Sequence, residues 1–125
     1  LRRPKRPRHG RNSISLELTA GSVVWIAPDP TIGREQGGRR PALIVATDDY
    51  LETVDTLAII VPLTTADRHW PNHIEVRGAG LSRRSWAMTE QVRTVSRERI
   101  VETAGQADQE TLTQVRIWIK DFLGL

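Results

Sequence analysis

The 125-residue sequence predicts an α+β fold: a curled antiparallel sheet of short strands closed by one C-terminal helix. Two observations carry this. From Ser22 to Thr103 the chain breaks into short β-branched and apolar segments, separated by stretches rich in Gly, Pro and Asp, which is the pattern of strands and turns. After Asp108 the period changes. Leu112, Val115, Ile119 and Phe122 recur at steps of three and four, which places them on one face of a helix.

Each element follows in order. Residues 1–19 read as a basic, disordered arm, with two prolines, dense like charge and no apolar period. Residues 20–125 form the single folded domain. Ser22–Ala27 is a β-branched and aromatic strand that places Trp25 in the core. Residues 28–39 form a long Gly- and Pro-marked loop. Pro41–Thr47 is a second strand, and Asp48-Asp49-Tyr50 a short helical turn. Thr56–Leu63 is an apolar run, buried on both faces, whose end Pro62 is expected to mark. Asn72–Arg77, Ser85–Met88, Gln91–Val95 and Ile100–Thr103 are further short extended segments. Asp108 is the expected N-cap of the terminal helix and Gly124 its stop. A small SH3-like barrel with that helix packed on it is the expected shape.

Composition narrows the function classes. There is no cysteine, so neither a disulfide scaffold nor a Cys-ligated zinc site is available; this suits a cytoplasmic location. No apolar run has the length of a membrane span, and the basic start is not followed by the apolar stretch of a secretory signal. The net charge of +3 is uneven. Residues 1–20 hold six basic residues against Glu17, a net +5, whereas the rest hold 12 basic and 14 acidic residues, a net −2. A nucleic-acid grip by the body must therefore come from locally placed arginines. The bland reading of the arm is a solvated tail; the functional one is added phosphate affinity.

The usual catalytic sets are missing. His69 and His73 have the spacing of a helical metal pair, but Pro71 between them opposes a helix, and the segment reads as a surface turn. No metal site and no cofactor are expected. Arginine and threonine stand out instead. Gly37-Gly38-Arg39-Arg40-Pro41 sets two arginines where a loop enters a strand, and Pro41 biases Arg40 toward extended backbone. The planar guanidinium suits phosphate oxygens, although a solvated basic loop is the plainer reading. Val61-Pro62-Leu63-Thr64-Thr65 puts two hydroxyls directly after a buried strand. These can bind a phosphate or simply cap the next turn.

Taken in order, several segments resemble the MazF/PemK family of toxin–antitoxin endoribonucleases. They are Gly21-Ser22-Val23-Val24-Trp25, residues 29–45 with their Glu35-Gln36-Gly37-Gly38-Arg39-Arg40-Pro41 core, Val61–Thr65, Pro71–Val76 and Trp86–Val95. The resemblance runs from about Gly21 to Leu125. It implies a CcdB/PemK-like fold, a homodimer with an RNA groove at its interface, a cognate antitoxin, and metal-independent cleavage of single-stranded RNA at short base sequences. By position it implies catalytic roles for Arg40 and Thr64, a site-shaping role for Glu35, and an RNA contact for Gln91. Gln36, Arg39, Thr65 and Trp70, in or beside the same motifs, complete the expected RNA-contact set.

The implied chemistry has the RNA 2′-hydroxyl attack its own phosphorus, giving a 2′,3′-cyclic phosphate and a 5′-hydroxyl. Arg40 would stabilise the developing charge. Glu35 is either a base or a salt-bridge partner of Arg40. Asn72 and Glu90 can also offer base-edge hydrogen bonds, and Trp70 is the better stacking candidate. Trp118, off the apolar line of the helix, serves either the dimer or the antitoxin. The chain departs from many relatives in having Ala27 and Pro28 where an aspartate implicated in base contacts is common, which puts inherited base preference in doubt. A gyrase-directed CcdB-type toxin, or a non-catalytic SH3-like nucleic-acid-binding module, is the alternative.

Overall fold

The computed structural model describes residues 17–28 and 38–125. Seven strands and two helices appear among them. They are β1 (Ser22–Ile26), β2 (Arg40–Ile44), α1 (Asp48–Thr53), β3 (Leu57–Thr64), β4 (His73–Glu75), β5 (Trp86–Met88), β6 (Arg93–Ser96), β7 (Ile100–Gln106) and α2 (Gln109–Leu123). The strands form one antiparallel sheet in the order β4-β5-β3-β2-β1-β7, with β6 also paired to β3. The ladder is open: hydrogen bonds do not join β4 to β7. The turn after β4 brings the two ends together instead. Its Ala79 carbonyl packs so closely on β7 that a Cβ at Gly105 would lie 2.2 Å from the oxygen.

The alternation of side chains divides the core. Val23, Leu43, Val61, Leu63 and Ala87 face one way and meet Leu112 and Val115 of α2. Val24, Ile26, Ala42, Ile44, Ala58 and Ile60 face the other way, toward Leu51 of α1, Val95 and Ile100. β3 therefore contributes to both clusters, as its unbroken apolar run implies. Register shifts between β1 and β7, at Val23/Val24 and Trp25/Ile26, mark bulges that sharpen the twist.

Pro62 does not end β3, which continues to Thr64. It lies where that edge changes partner, between β6, paired through Ile60, and β5, paired from Leu63. Such interruptions are where a strand accepts proline. Trp25 is only half-buried, because it flanks Pro41 and the exposed Glu102 instead of another apolar layer. Gln91 lies in a single 3-10 turn, Thr89–Gln91, ahead of β6.

α2 begins as expected. The Asp108 carboxylate accepts from the Thr111 backbone N–H and hydroxyl. Gly124 takes the left-handed conformation at the far end. Leu112 and Val115 are buried, whereas Phe122 has run past the sheet, is 48% exposed and packs on Trp118. The start of the body is fastened earlier than the sequence suggests: Thr19 bonds to Ser22 and Gln106, and the Ala20 N–H donates to Asp48. Residues 1–16 of the basic arm lie outside the described residues.

Candidate phosphate-directed site

The sheet register builds the site. β2 and β3 pair Ala42 with Pro62, Leu43 with Val61 and Ile44 with Ile60. That pairing ends at Ala42 and Pro62. Arg40 opens β2 and Thr64 closes β3 two residues further on, so both lie at the same end of the β2–β3 ladder, and by alternation on the face of Ala42 and Pro62. Arg40 is paired with Ile26 on β1, Thr64 with Trp86 on β5, and Trp86 with Glu75 on β4. Thr64, Trp86 and Glu75 thus form one row across the sheet, with Arg40 beyond its β3 end. The next row on the same face runs through Ala42, Pro62, Met88 and His73.

Arg40 is exposed, and among the described residues its side chain has no hydrogen-bond or ion-pair partner. A guanidinium held at a strand start, with its donors unspent, is equipped to meet an anion. The Thr64 hydroxyl accepts a hydrogen bond from the Ala66 N–H at 3.1 Å, so it caps the following turn. The cap uses an acceptor lone pair; the hydroxyl proton can still donate to a phosphate oxygen. Thr65 is exposed in the same turn. Arg39 goes elsewhere: its guanidinium pairs with Glu102 of β7 at 2.8 Å, on the row of Trp25 and Pro41, which faces away from Arg40. Glu35 and Gln36 lie outside the described residues.

Beyond Thr64 the structure assembles a network that the sequence does not show. His73 is not on a surface turn. It lies in β4 with its side chain 1% exposed, and its Nε2 is 3.1 Å and 3.2 Å from the two Glu90 carboxylate oxygens. Its Nδ1 is buried without a partner, which fits a tautomer whose proton sits on Nε2 and is donated to Glu90. Asn72 donates to the same carboxylate at 2.8 Å, and the buried Thr89 hydroxyl donates to the Asn72 carbonyl at 2.7 Å. The Trp70 ring, 48% exposed, lies tilted over the imidazole at 4.7 Å, with the Arg68 guanidinium 5.9 Å from its centroid. Gln91, exposed, reaches back toward Met88 and Glu90. Trp70 and Gln91 therefore bracket a buried histidine and its more exposed carboxylate partner. His73 and Glu90 are 17 residues apart, so no local pattern announces them.

Burial pushes the Glu90 carboxyl up. Hydrogen bonds from its own backbone N–H, His73 and Gln91 outweigh this and hold it below the ordinary carboxylate value. A depressed folded pKa contributes stability that is full above the unfolded pKa and is lost as pH falls through the folded one. Thermal unfolding of wild type and Glu90→Gln is therefore expected to differ by a few degrees at neutral pH. The difference should shrink as the pH drops from about 5 to about 3. A gap independent of pH would mean that the carboxylate's charge does not hold this network.

Among the described residues no three His, Asp or Glu side chains cluster as metal ligands, and no helix is long and apolar enough to cross a membrane. The fold defines a small sheet-and-helix protein with an exposed arginine, without a partner among the described residues, at the start of β2 and a threonine at the nearby end of β3.

Known proteins resemble this chain in sequence and fold. A family model described as "PemK-like, MazF-like toxin of type II toxin-antitoxin system" matches residues 19–123. The chain is 30% identical over 105 residues to the endoribonuclease toxin MazF of Escherichia coli K12, covering 83% of this chain and 92% of that one. It is 30% identical over 100 residues to endoribonuclease EndoA of Bacillus subtilis 168, covering 76% and 84%. Among solved structures, the MazE-MazF complex (Form-II) from Deinococcus radiodurans superposes with a TM-score of 0.75 at 28% identity, covering 89% of this chain and 99% of that one. This chain belongs to the PemK-like, MazF-like family of type II toxin–antitoxin toxins.

Proposed function

We infer that this protein is the toxin of a type II toxin–antitoxin pair and acts in the cytoplasm as a sequence-specific, metal-independent endoribonuclease on single-stranded RNA. The observation that carries the reading is that Arg40, exposed and without a partner among the described residues, opens β2 at the same end of the β2–β3 ladder at which Thr64 closes β3. Support comes from the endoribonucleases of similar sequence and from the antitoxin complex of similar fold.

RNA carries its own nucleophile. The 2′-oxygen forms a bond to phosphorus as its proton leaves to a base, and the bond to the 5′-oxygen breaks as that oxygen gains a proton. The products are a 2′,3′-cyclic phosphate and a 5′-hydroxyl. Arg40 donates to the non-bridging oxygens, where negative charge develops, and Thr64 orients the same phosphate. Thr65, Gln91 and Trp70 contact the strand, Trp70 by stacking on a base. Arg39, tied to Glu102 on the other face, is left out of this set. The functional unit is a homodimer, silenced by its cognate antitoxin.

The test is digestion of a long single-stranded RNA by purified protein in EDTA, with fragment ends mapped. Discrete cuts ending in cyclic phosphate are expected; an intact RNA after incubation with folded dimer would overturn the reading. Within the site, Thr64→Val keeps the β-branched shape and removes the hydroxyl. It is expected to lower kcat by about tenfold to a hundredfold, while Thr64→Ser keeps most activity. Equal loss in both variants would assign Thr64 to packing instead.

A further inference from the structure

The site's row does not end at Thr64. Its next member, Trp86, is 8% exposed and directly cross-strand from Thr64. The Arg84 guanidinium lies over the Trp86 ring, 5.1 Å from its centroid. The same guanidinium donates to both oxygens of Glu75, from Nε at 2.9 Å and from Nη2 at 3.1 Å. Glu75 is the row's last residue. Arg84 is thus held on two sides, by a stacking surface and by a two-pronged carboxylate, yet its side chain is 70% exposed. Its Nη1 donors are outside the pair with Glu75. An open cleft of about 350 Å³, lined by Arg77, Arg83 and Arg84 among others, adjoins it.

Surface ion pairs contribute little to stability, so the fastening of Arg84 is better explained by what it aims. An arginine with its rotamers already restricted loses less entropy when it binds a ligand. The positive field here is local, because Arg77 also donates to Glu75 at 3.1 Å, and Asp67 lies within electrostatic range of Arg84. A site of this kind suits a single phosphate held by hydrogen bonds, not a broad polyanion-binding surface.

We propose that Arg84 is a substrate-positioning residue, which holds a phosphate of the RNA strand flanking the one that lies between Arg40 and Thr64. The inference rests on the ribonuclease reading above. The strand would cross the sheet along the row, from Arg40 and Thr64 over Trp86 to Arg84. Neighbouring strands are about 4.8 Å apart, so the two contacts sit on successive elements of one face. Arg84 takes no part in bond making; it sets where the chain lies.

The experiment compares wild type, Arg84→Gln and Arg84→Lys in cleavage of one short RNA that contains the mapped cut site, over a range of salt concentrations. Binding is measured in parallel with each Arg84 change placed on Arg40→Ala protein, which keeps the RNA intact. With Arg84→Gln, KM is expected to rise about 3- to 10-fold with kcat within twofold. The slope of log affinity against log salt should become shallower by about 0.7, the value for one phosphate on a single strand. Arg84→Lys should restore the slope and only part of the KM, since it keeps the charge and loses the fork. A purely structural Arg84 would leave the salt slope unchanged. Unchanged KM and slope in both variants, or a fall in kcat alone, would overturn the proposal while the ribonuclease reading stands. Absence of cutting by wild type would remove both together.

Discussion

Arg40→Ala is expected to cut RNA about 10²- to 10³-fold more slowly than wild type, the effect of removing one preorganised donor from a developing oxyanion. Its fold should not change. Arg40 is exposed and makes no side-chain hydrogen bond or ion pair among the described residues, and substitutions of that kind stay within about 0.5 kcal/mol. Single-turnover cleavage together with thermal unfolding checks both halves. Arg40→Lys keeps the charge but not the planar fork, and an activity between wild type and alanine is expected. The same variant separates the classes of toxin. If Arg40→Ala protein still arrests growth while RNA remains intact, the target is a protein, and a gyrase-directed mode replaces RNA cleavage.

Gly105→Ala is expected to damage the fold about as much as truncation of a large core side chain. A Cβ there would lie 2.2 Å from the Ala79 carbonyl oxygen and 3.1 Å from its carbon. Both partners are backbone, so no rotamer change relieves the clash. Either β7 or the turn after β4 must withdraw. That turn is where the two ends of the open ladder meet, and Val23, across from Gly105, belongs to the core under α2. Overpacking of this kind costs about 3 kcal/mol, and a domain of this size then melts roughly 10 °C lower or more. Calorimetry would show it. A variant that melts within about 2 °C of wild type would mean the turn yields freely and does not hold the sheet ends together.

The places of Arg40 before Pro41 and of Thr64 after an apolar run can be read from local spacing, because each depends on its own strand; the roles given to them rest on the family resemblance, since spacing alone also fits a solvated loop and a turn cap. Whether they lie on one face cannot be read so. It depends on the β2–β3 register, and a slip of one residue would send the two side chains to opposite faces. Arg39 shows the other side of this: beside Arg40 in sequence, it reaches Glu102 on the opposite face.

The sequence by itself determined the elements: the β-branched runs, the 3.6-residue period of α2 and its Asp108 and Gly124 caps, since each is set by interactions a few residues apart. By leaving cysteine out it also excluded a disulfide scaffold and a Cys-ligated zinc site. Only the tertiary structure decided that His73 is buried against Glu90, that Phe122 runs past the sheet, and that Trp86 carries Arg84 beside Thr64. These are contacts between segments whose separation in the chain says nothing about their distance in space. Pairing register and the path of the sheet choose them, and both follow from burial of the whole core at once.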